Sequence, residues 1–294
     1  MGSLLGAVDL GGTKIISGLF SPEKDLLGDP VECPTQAHLD PEKILENIRE
    51  NFLRTLEKCG RSIKDVASLG IGVPITVQYD KGLIDGSPNL PTMTDFPLAR
   101  LLAQRLQLPV MMEKDANCFI LGEMTHGAAE GSGNCCGVTI GTGLGLGILS
   151  GGRLLRGSNA CAGEIWTCPY RDGILEDYVS GTALVKRYEK RSGQNKSGPE
   201  IHQLAAEGDK LARELFTELG RALGHGLSYL VNLLNPEIIV IGGSVAEAYD
   251  LFIEPVQEVI GNHRVERNST VLKKSGLGKL ACLYGAAFLT QRLQ

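Results

Sequence analysis

The chain has 294 residues, of which 43% are hydrophobic, 21% charged and 5% aromatic, and it carries a formal net charge of −5. That composition excludes a disordered or low-complexity chain, and at about 100–200 residues per domain the length predicts two domains. No Lys/Arg block marks a nucleic-acid or membrane surface, since Lys273-Lys274 is only a pair.

The opening, Met1-Gly-Ser-Leu-Leu-Gly-Ala-Val-Asp9, lacks a basic region and a long apolar core, so no signal peptide and a cytoplasmic location are expected. The apolar run Leu4–Leu10 predicts a strand, Gly11-Gly12 a turn, and Ile15–Phe20 the returning strand of a hairpin. Helical spacing runs over 41–59, with Pro41 suited to the first turn. Val66–Val73 predicts a strand, Leu98–Leu106 a short helix, and Leu108–Met112 a strand leading into Glu113-Lys114-Asp115. Ala116–Gly127 predicts a helix. The opening pattern then recurs, with Cys136–Ile140 as a strand, Gly141-Thr142-Gly143 as a turn and Leu144–Leu149 as a strand. Residues 131–152 carry no charge, but their Gly, Ser and Thr content predicts turns and strands rather than a membrane span. A long helix is expected over Asp209–Leu234, a buried strand over Glu237–Ile241 before Gly242-Gly243, and helices over Ala246–Gly261 and Ala281–Arg292. Two strand–glycine turn–strand units half a chain apart are what an internal duplication leaves. No linker separates the halves, so a short connection is expected near 115–118.

Glycine at a strand-to-strand turn lets backbone N–H groups converge on an anion. Gly11, Gly12 and Thr13 supply one such turn, with Lys14 as an added charge, and Gly141, Thr142 and Gly143 supply a second. Two such turns suit a triphosphate, and Asp9 at the strand end suits hydrated Mg²⁺. Asp115, between a strand and a helix, fits either a helix N-cap or the carboxylate that takes a hydroxyl proton during phosphoryl transfer. Glu164 and Glu176 are carboxylates in glycine-bearing apolar contexts, suited to sugar hydroxyls or to solvent, and Asn89 reads as a turn residue or a ligand. No GxxxxGK[ST] is present, and Gly276-Leu-Gly278-Lys-Leu-Ala281 has too little chain after it for a dinucleotide-binding unit. The eight cysteines, at 33, 59, 118, 135, 136, 161, 168 and 282, form no CxxC and are expected to be reduced and mostly buried.

These motifs in this order resemble the ROK family of bacterial sugar kinases and repressors. The resemblance runs from Asp9-Leu-Gly-Gly-Thr-Lys14 through Gly70-Ile-Gly-Val-Pro74, Ser87-Pro-Asn-Leu-Pro91, Glu113-Lys-Asp-Ala116 and Gly141-Thr-Gly-Leu-Gly145. It continues through Gly163-Glu-Ile165, Leu175-Glu176, Ser180-Gly181-Thr182, Val231-Asn-Leu-Leu-Asn-Pro236 and Ile241-Gly-Gly243 to Gly285-Ala-Ala287. It implies an α/β, actin-like (ribonuclease H-like) ATPase fold with two α/β domains around a cleft. The first domain would be 1–116 plus the terminal helix 283–294, and the second 117–282. It implies ATP- and Mg²⁺-dependent phosphorylation of a hexose hydroxyl, typically at C6, in a glucokinase-like enzyme. The alternatives are an N-acetylmannosamine, N-acetylglucosamine or fructose kinase, or a sugar-binding regulator without turnover.

By the same resemblance Asp115 is the catalytic base. Asn89, Lys114, Asp115, Glu164, Thr167 and Glu176 are sugar-side positions; Gly11, Gly12, Thr13, Thr142 and Gly143 contact phosphate; Gly242 and Gly243 lie near the adenosine. A homodimer or homotetramer is implied. Four departures from the pattern stand out. Lys114 replaces an amide, Ile75 follows Pro74 where glycine is frequent, Thr167 replaces a sugar- and zinc-binding His, and the CxCxxxxC cluster is missing, so no structural zinc is expected. With eight residues before Asp9 no helix-turn-helix is expected, and adjacent Cys135-Cys136 is poor spacing for an iron–sulfur cluster.

Overall fold

The computed structural model describes residues 3–74, 77–79, 81–84 and 89–289, so Ile75, Ser87, Pro88 and the expected helix beyond Leu289 lie outside the described residues. In chain order the first elements are β1 (Leu4–Leu10), β2 (Lys14–Phe20), β3 (Val31–Pro34), α1 (Pro41–Lys58), β4 (Val66–Val73), β5 (Val77–Gln78), β6 (Leu83–Ile84), α2 (Leu98–Leu106), β7 (Val110–Lys114) and α3 (Asp115–His126). They are followed by β8 (Cys135–Ile140), β9 (Leu144–Ser150), β10 (Arg153–Leu154), β11 (Pro169–Tyr170), β12 (Gly173–Ile174), α4 (Gly181–Ser192), α5 (Gly198–Glu207), α6 (Lys210–Leu234), β13 (Ile238–Gly242), α7 (Tyr249–His263), β14 (Val271–Lys274) and α8 (Ala281–Leu289). Two compact units result. One comprises 1–131, 154–162 and 280–294, the other 132–153 and 163–279.

The first unit is built on a five-stranded sheet of order β3-β2-β1-β4-β7. Its central strand β1 pairs antiparallel with β2, from Leu5 opposite Phe20 to Leu10 opposite Ile15, and parallel with β4, ending with Asp9 opposite Gly72. Helix α1 covers one face of this sheet. Asp40 caps it by accepting the N–H of Glu42, and Pro41 supplies a first turn that needs no donor. Ile44, Leu45, Ile48, Phe52 and Leu56 then fall on one stripe and are buried against Val8, Leu10, Leu69 and Ile71. Each such side chain contributes about 1.5–3 kcal/mol on burial.

The opposite face carries small residues because α8 lies directly on it. A methyl added at Gly70 would sit 1.9 Å from the Ala286 carbonyl oxygen, and one added at Gly285 would sit 1.7 Å from that of Cys118. This is the close packing expected from Tyr284-Gly285-Ala286-Ala287. The contact of α3 with α8 keeps 117–131 with the first unit, past the Ala116 boundary expected above.

The second unit repeats the plan with the sheet order β10-β9-β8-β13-β14. Here β8 takes the place of β1, pairing antiparallel with β9 and parallel with β13. The duplication read from the two glycine turns therefore extends to whole sheets, antiparallel on one side of the central strand and parallel on the other. Asp209 caps α6 by accepting the N–H of Ala212, and Leu215, Phe216, Leu219, Leu223, Leu227 and Val231 form its buried stripe. Helices α4 and α5 and strand β14 are additions to the elements expected from the sequence.

Among the described residues no helix is long and apolar enough to cross a membrane. All eight cysteines are free thiols, but only Cys118, Cys135 and Cys136 are buried, which corrects the expectation of mostly buried thiols. Cys161 and Cys168 are exposed because both lie in the irregular connection between β10 and β11.

Candidate active site

In the first unit the predicted residues gather at the carboxyl ends of β1 and β7. Asp9 is one residue short of the turn, partly buried, and burial pushes its carboxyl above the ordinary carboxylate value against a hydrogen bond with Cys282 and the charge of Lys14. The turn is closed by the N–H of Gly11 donating to the Lys14 carbonyl at 2.9 Å. Thr35 braces it, donating its hydroxyl to the Gly11 carbonyl at 2.6 Å and its N–H to the Thr13 carbonyl at 3.0 Å. The N–H groups of Gly12 and Thr13 meet no acceptor among the described residues, which leaves two donors for an anion. Gly12 is required by close approach, because a Cβ there would lie 2.9 Å from the carbonyl oxygen of Asn89. Asn89 is thus a neighbour of the phosphate-type turn. Lys14 instead points along the sheet, its Nζ 3.0 Å from Glu32 Oε2.

Asp115 is the first residue of α3, and Lys114 occupies the cap position. Its Oδ1 accepts the N–H of Ala116 at 2.6 Å, so the carboxylate sits at the positive end of the helix. Lys114 is buried at 8% exposure, and its Nζ donates to the Ala162 carbonyl at 3.2 Å, so the side chain turns inward. Behind both lies Glu113, fully buried. Its Oε1 accepts the Lys114 N–H and Asn117 Nδ2, each at 2.9 Å, and the Tyr79 hydroxyl; its Oε2 accepts Arg156 Nε at 2.7 Å. Glu113, Tyr79, Asn117 and Arg156 were missed as functional residues. Glu113 reads as part of a strand end, and nothing in the local pattern marks Arg156.

In the second unit the turn at Gly141–Gly143 is one residue shorter, closed by the Gly141 N–H on the Gly143 carbonyl at 2.9 Å. Its position matching Asp9 is Thr139, opposite Gly145 and Gly242, so only the first repeat carries a carboxylate there. The N–H groups of Thr142 and Gly143 meet no acceptor among the described residues. Helix α4 begins against this turn. Ser180 caps it by accepting the Ala183 N–H, the Gly181 N–H donates to the Gly141 carbonyl at 2.7 Å, and Thr182 Oγ1 donates to the Thr142 carbonyl at 2.8 Å. A helix N-terminus and two open amides make an anion-favouring corner. Gly243, at φ +88°, lies against Ile140 at the same strand ends.

Glu176 belongs to this corner as well. Its Oε2 accepts the Leu144 N–H at 2.7 Å. Glu164 is partly buried and accepts the indole N–H of Trp166, while Thr167 is exposed and donates its hydroxyl to the Glu164 carbonyl at 3.0 Å. The hairpin β11–β12 between the two glutamates is held by stacking. Tyr178 donates its hydroxyl to Asp172, and the guanidinium groups of Arg171 and Arg187 lie 5.6 and 5.0 Å from its ring centroid. Among the described residues no three His, Cys, Asp or Glu side chains converge as a metal site.

A model of the ROK family matches residues 5–293. A glucokinase of Streptomyces coelicolor is 31% identical, the alignment covering 99% of this chain and 98% of the relative. Among solved structures, a ROK hexokinase from Thermus thermophilus superposes with a TM-score of 0.83 at 30% identity, covering 99% of this chain and 100% of that one. A ROK family glucokinase from Streptomyces griseus in complex with glucose and AMPPNP gives 0.84 at 29% identity, covering 98% and 99%. The fold is accordingly the α/β, actin-like (ribonuclease H-like) ATPase fold.

Proposed function

This chain belongs to the ROK family, and on that footing we propose that it is a sugar kinase transferring the γ-phosphoryl group of ATP to a hexose hydroxyl, at C6 and with glucose as the leading substrate. The observation that carries this reading is the placement of Asp115. A carboxylate at a strand-to-helix junction shares one unit with Asp9 and with the open amides of Gly12 and Thr13.

Phosphoryl transfer asks little covalent chemistry of a protein and much positioning. Asp115 accepts the proton of the attacking hydroxyl and aligns its oxygen. The N–H groups of Gly12, Thr13, Thr142 and Gly143 hold phosphate oxygens, with the N-terminus of α4 beside the second pair. Gly242 and Gly243, lacking side chains, leave room on the adenosine side. Asn89, Lys114, Glu164, Thr167 and Glu176 stand on the sugar side. Asp9 fits a hydrated Mg²⁺, since burial disfavours its own charge and a cation would restore it. Bound there, the ion would neutralise phosphate charge.

One observation widens the substrate range. Lys114 is buried where the resemblance places an amide, so N-acetylmannosamine, N-acetylglucosamine and fructose belong in the test. The experiment is a coupled ADP-release assay with ATP and Mg²⁺ over glucose, mannose, fructose and the N-acetylhexosamines. Glucose is expected to give the highest kcat/KM. ATP binding without turnover on any sugar would sink the kinase reading in favour of a sugar-binding regulator.

A further inference from the structure

Arg156 has no part in the transfer just described, yet it is tied to the residues around the base. It lies in the segment 154–162, which belongs to the first unit. Both its Nε and an Nη atom are 2.7 Å from Glu113 Oε2, and its guanidinium carbon is 4.8 Å from the Tyr79 ring centroid. Burial works against the charge of Arg156, but Glu113 and Tyr79 together more than offset this, and the guanidinium is held above its ordinary value. Tyr79 is pushed up by burial and by Glu113, so it stays protonated and donates.

Glu113 shows no exposed surface, so as a carboxylate it needs a counter-charge and a full set of donors. Arg156 supplies the counter-charge. The other oxygen of Glu113 takes the Lys114 N–H and Asn117 Nδ2, which are the cap residue and the third residue of the helix that Asp115 begins. The loop is fastened at a second point. The Ala162 N–H closes onto the Arg156 carbonyl at 3.0 Å, and the Ala162 carbonyl receives Lys114 Nζ at 3.2 Å. Residues 156–162 therefore form a closed loop pinned at both ends to the two residues preceding Asp115.

We propose that Arg156 is a positioning residue for phosphoryl transfer: through Glu113 it fixes the start of α3, and with it the aim of the Asp115 carboxylate, while seating the 156–162 loop beside the base. This rests on the reading of Asp115 as the base. Misplacing a reacting group by about 1 Å costs on the order of a hundredfold in rate, and removing the half-buried Arg156 strands the fully buried Glu113.

The test compares wild type with Arg156→Met, Arg156→Lys and the double variant Glu113→Gln/Arg156→Met. With the best hexose, Arg156→Met is expected to lower kcat about 30- to 100-fold with the KM for ATP changed less than about threefold. The double variant should recover part of the loss, and Arg156→Lys should lose only about three- to tenfold because it keeps the charge without the two-nitrogen grip. Backbone amide exchange at 114–118 should quicken in Arg156→Met, and to a lesser degree in Arg156→Lys, which carries the test if Arg156→Met does not fold. Wild-type kcat and exchange in a folded Arg156 variant would overturn the proposal while leaving the kinase reading intact. A wild type without turnover would remove the kinase reading, and the exchange at 114–118 would still decide whether Arg156 holds the helix start.

Discussion

Glu176 Oε2 accepts the backbone N–H of Leu144 at 2.7 Å, which ties the residue expected on the sugar side to the strand leaving the second glycine turn. Glu176→Ala strands that amide and loosens the turn, so the KM for ATP is expected to rise about three- to tenfold, the equivalent of roughly 1 kcal/mol. Steady-state kinetics with each substrate varied in turn checks this. A rise confined to the sugar KM would show that the carboxylate serves the sugar and that its bond to Leu144 is incidental.

Asp115→Asn keeps an oxygen able to accept the Ala116 N–H, which Asp115 Oδ1 does at 2.6 Å, but removes the base. Turnover should fall by about 10²- to 10⁴-fold, while unfolding free energy changes by about 0.5 kcal/mol or less. Denaturant unfolding beside the ADP-release assay separates the two. Wild-type rates in this variant would refute the assignment.

Gly12→Ala places a methyl 2.9 Å from the Asn89 carbonyl oxygen, a backbone atom that cannot rotate away. Turn and Asn89 segment must separate. A stability loss of about 1–3 kcal/mol and at least a roughly tenfold fall in kcat/KM for ATP are expected, read from chemical denaturation and ATP titration. An unchanged kcat/KM would mean that the turn does not hold phosphate.

Gly285→Ala tests the seat of α8. The added methyl would lie 1.7 Å from the Cys118 carbonyl oxygen, so α3 and α8 must part. About 3 kcal/mol or more of destabilisation is expected, a Tm drop of roughly 6 °C or more. A thermal melt within about 1 °C of wild type would contradict the packing described for this pair.

Thiol labelling reads the cysteine environments directly. Cys161 and Cys168 are exposed, whereas Cys135 and Cys136 are buried and their thiols are pushed up to about 12 by burial. At about pH 8 an aromatic disulfide reagent should react quickly with the two exposed thiols, and with Cys118, Cys135 and Cys136 only after denaturation, because thiolate is the reactive form. Mass mapping of the labelled positions over time checks the order. Early labelling of Cys135 or Cys136 would contradict their burial.

What the sequence determined by itself was local or periodic. The hairpins around Gly11-Gly12 and Gly141–Gly143 were legible because strand alternation and turn chemistry act between near neighbours. The helices over 41–59 and Asp209–Leu234 were legible for the same reason, though their Asp40 and Asp209 caps came only with the structure. The order of the motifs carried the family and the position of Asp115. Only the tertiary structure decided what the polar side chains of the site touch. Arg156 and Glu113 are 43 residues apart, Leu144 and Glu176 are 32 apart, and Lys114 reaches a carbonyl 48 residues away. A buried charge is satisfied by whichever donor the fold brings to it, and no periodicity in the chain encodes that meeting. The inward turn of Lys114 and the hold of Arg156 on Glu113 therefore emerge only when the loop folds back onto the start of α3.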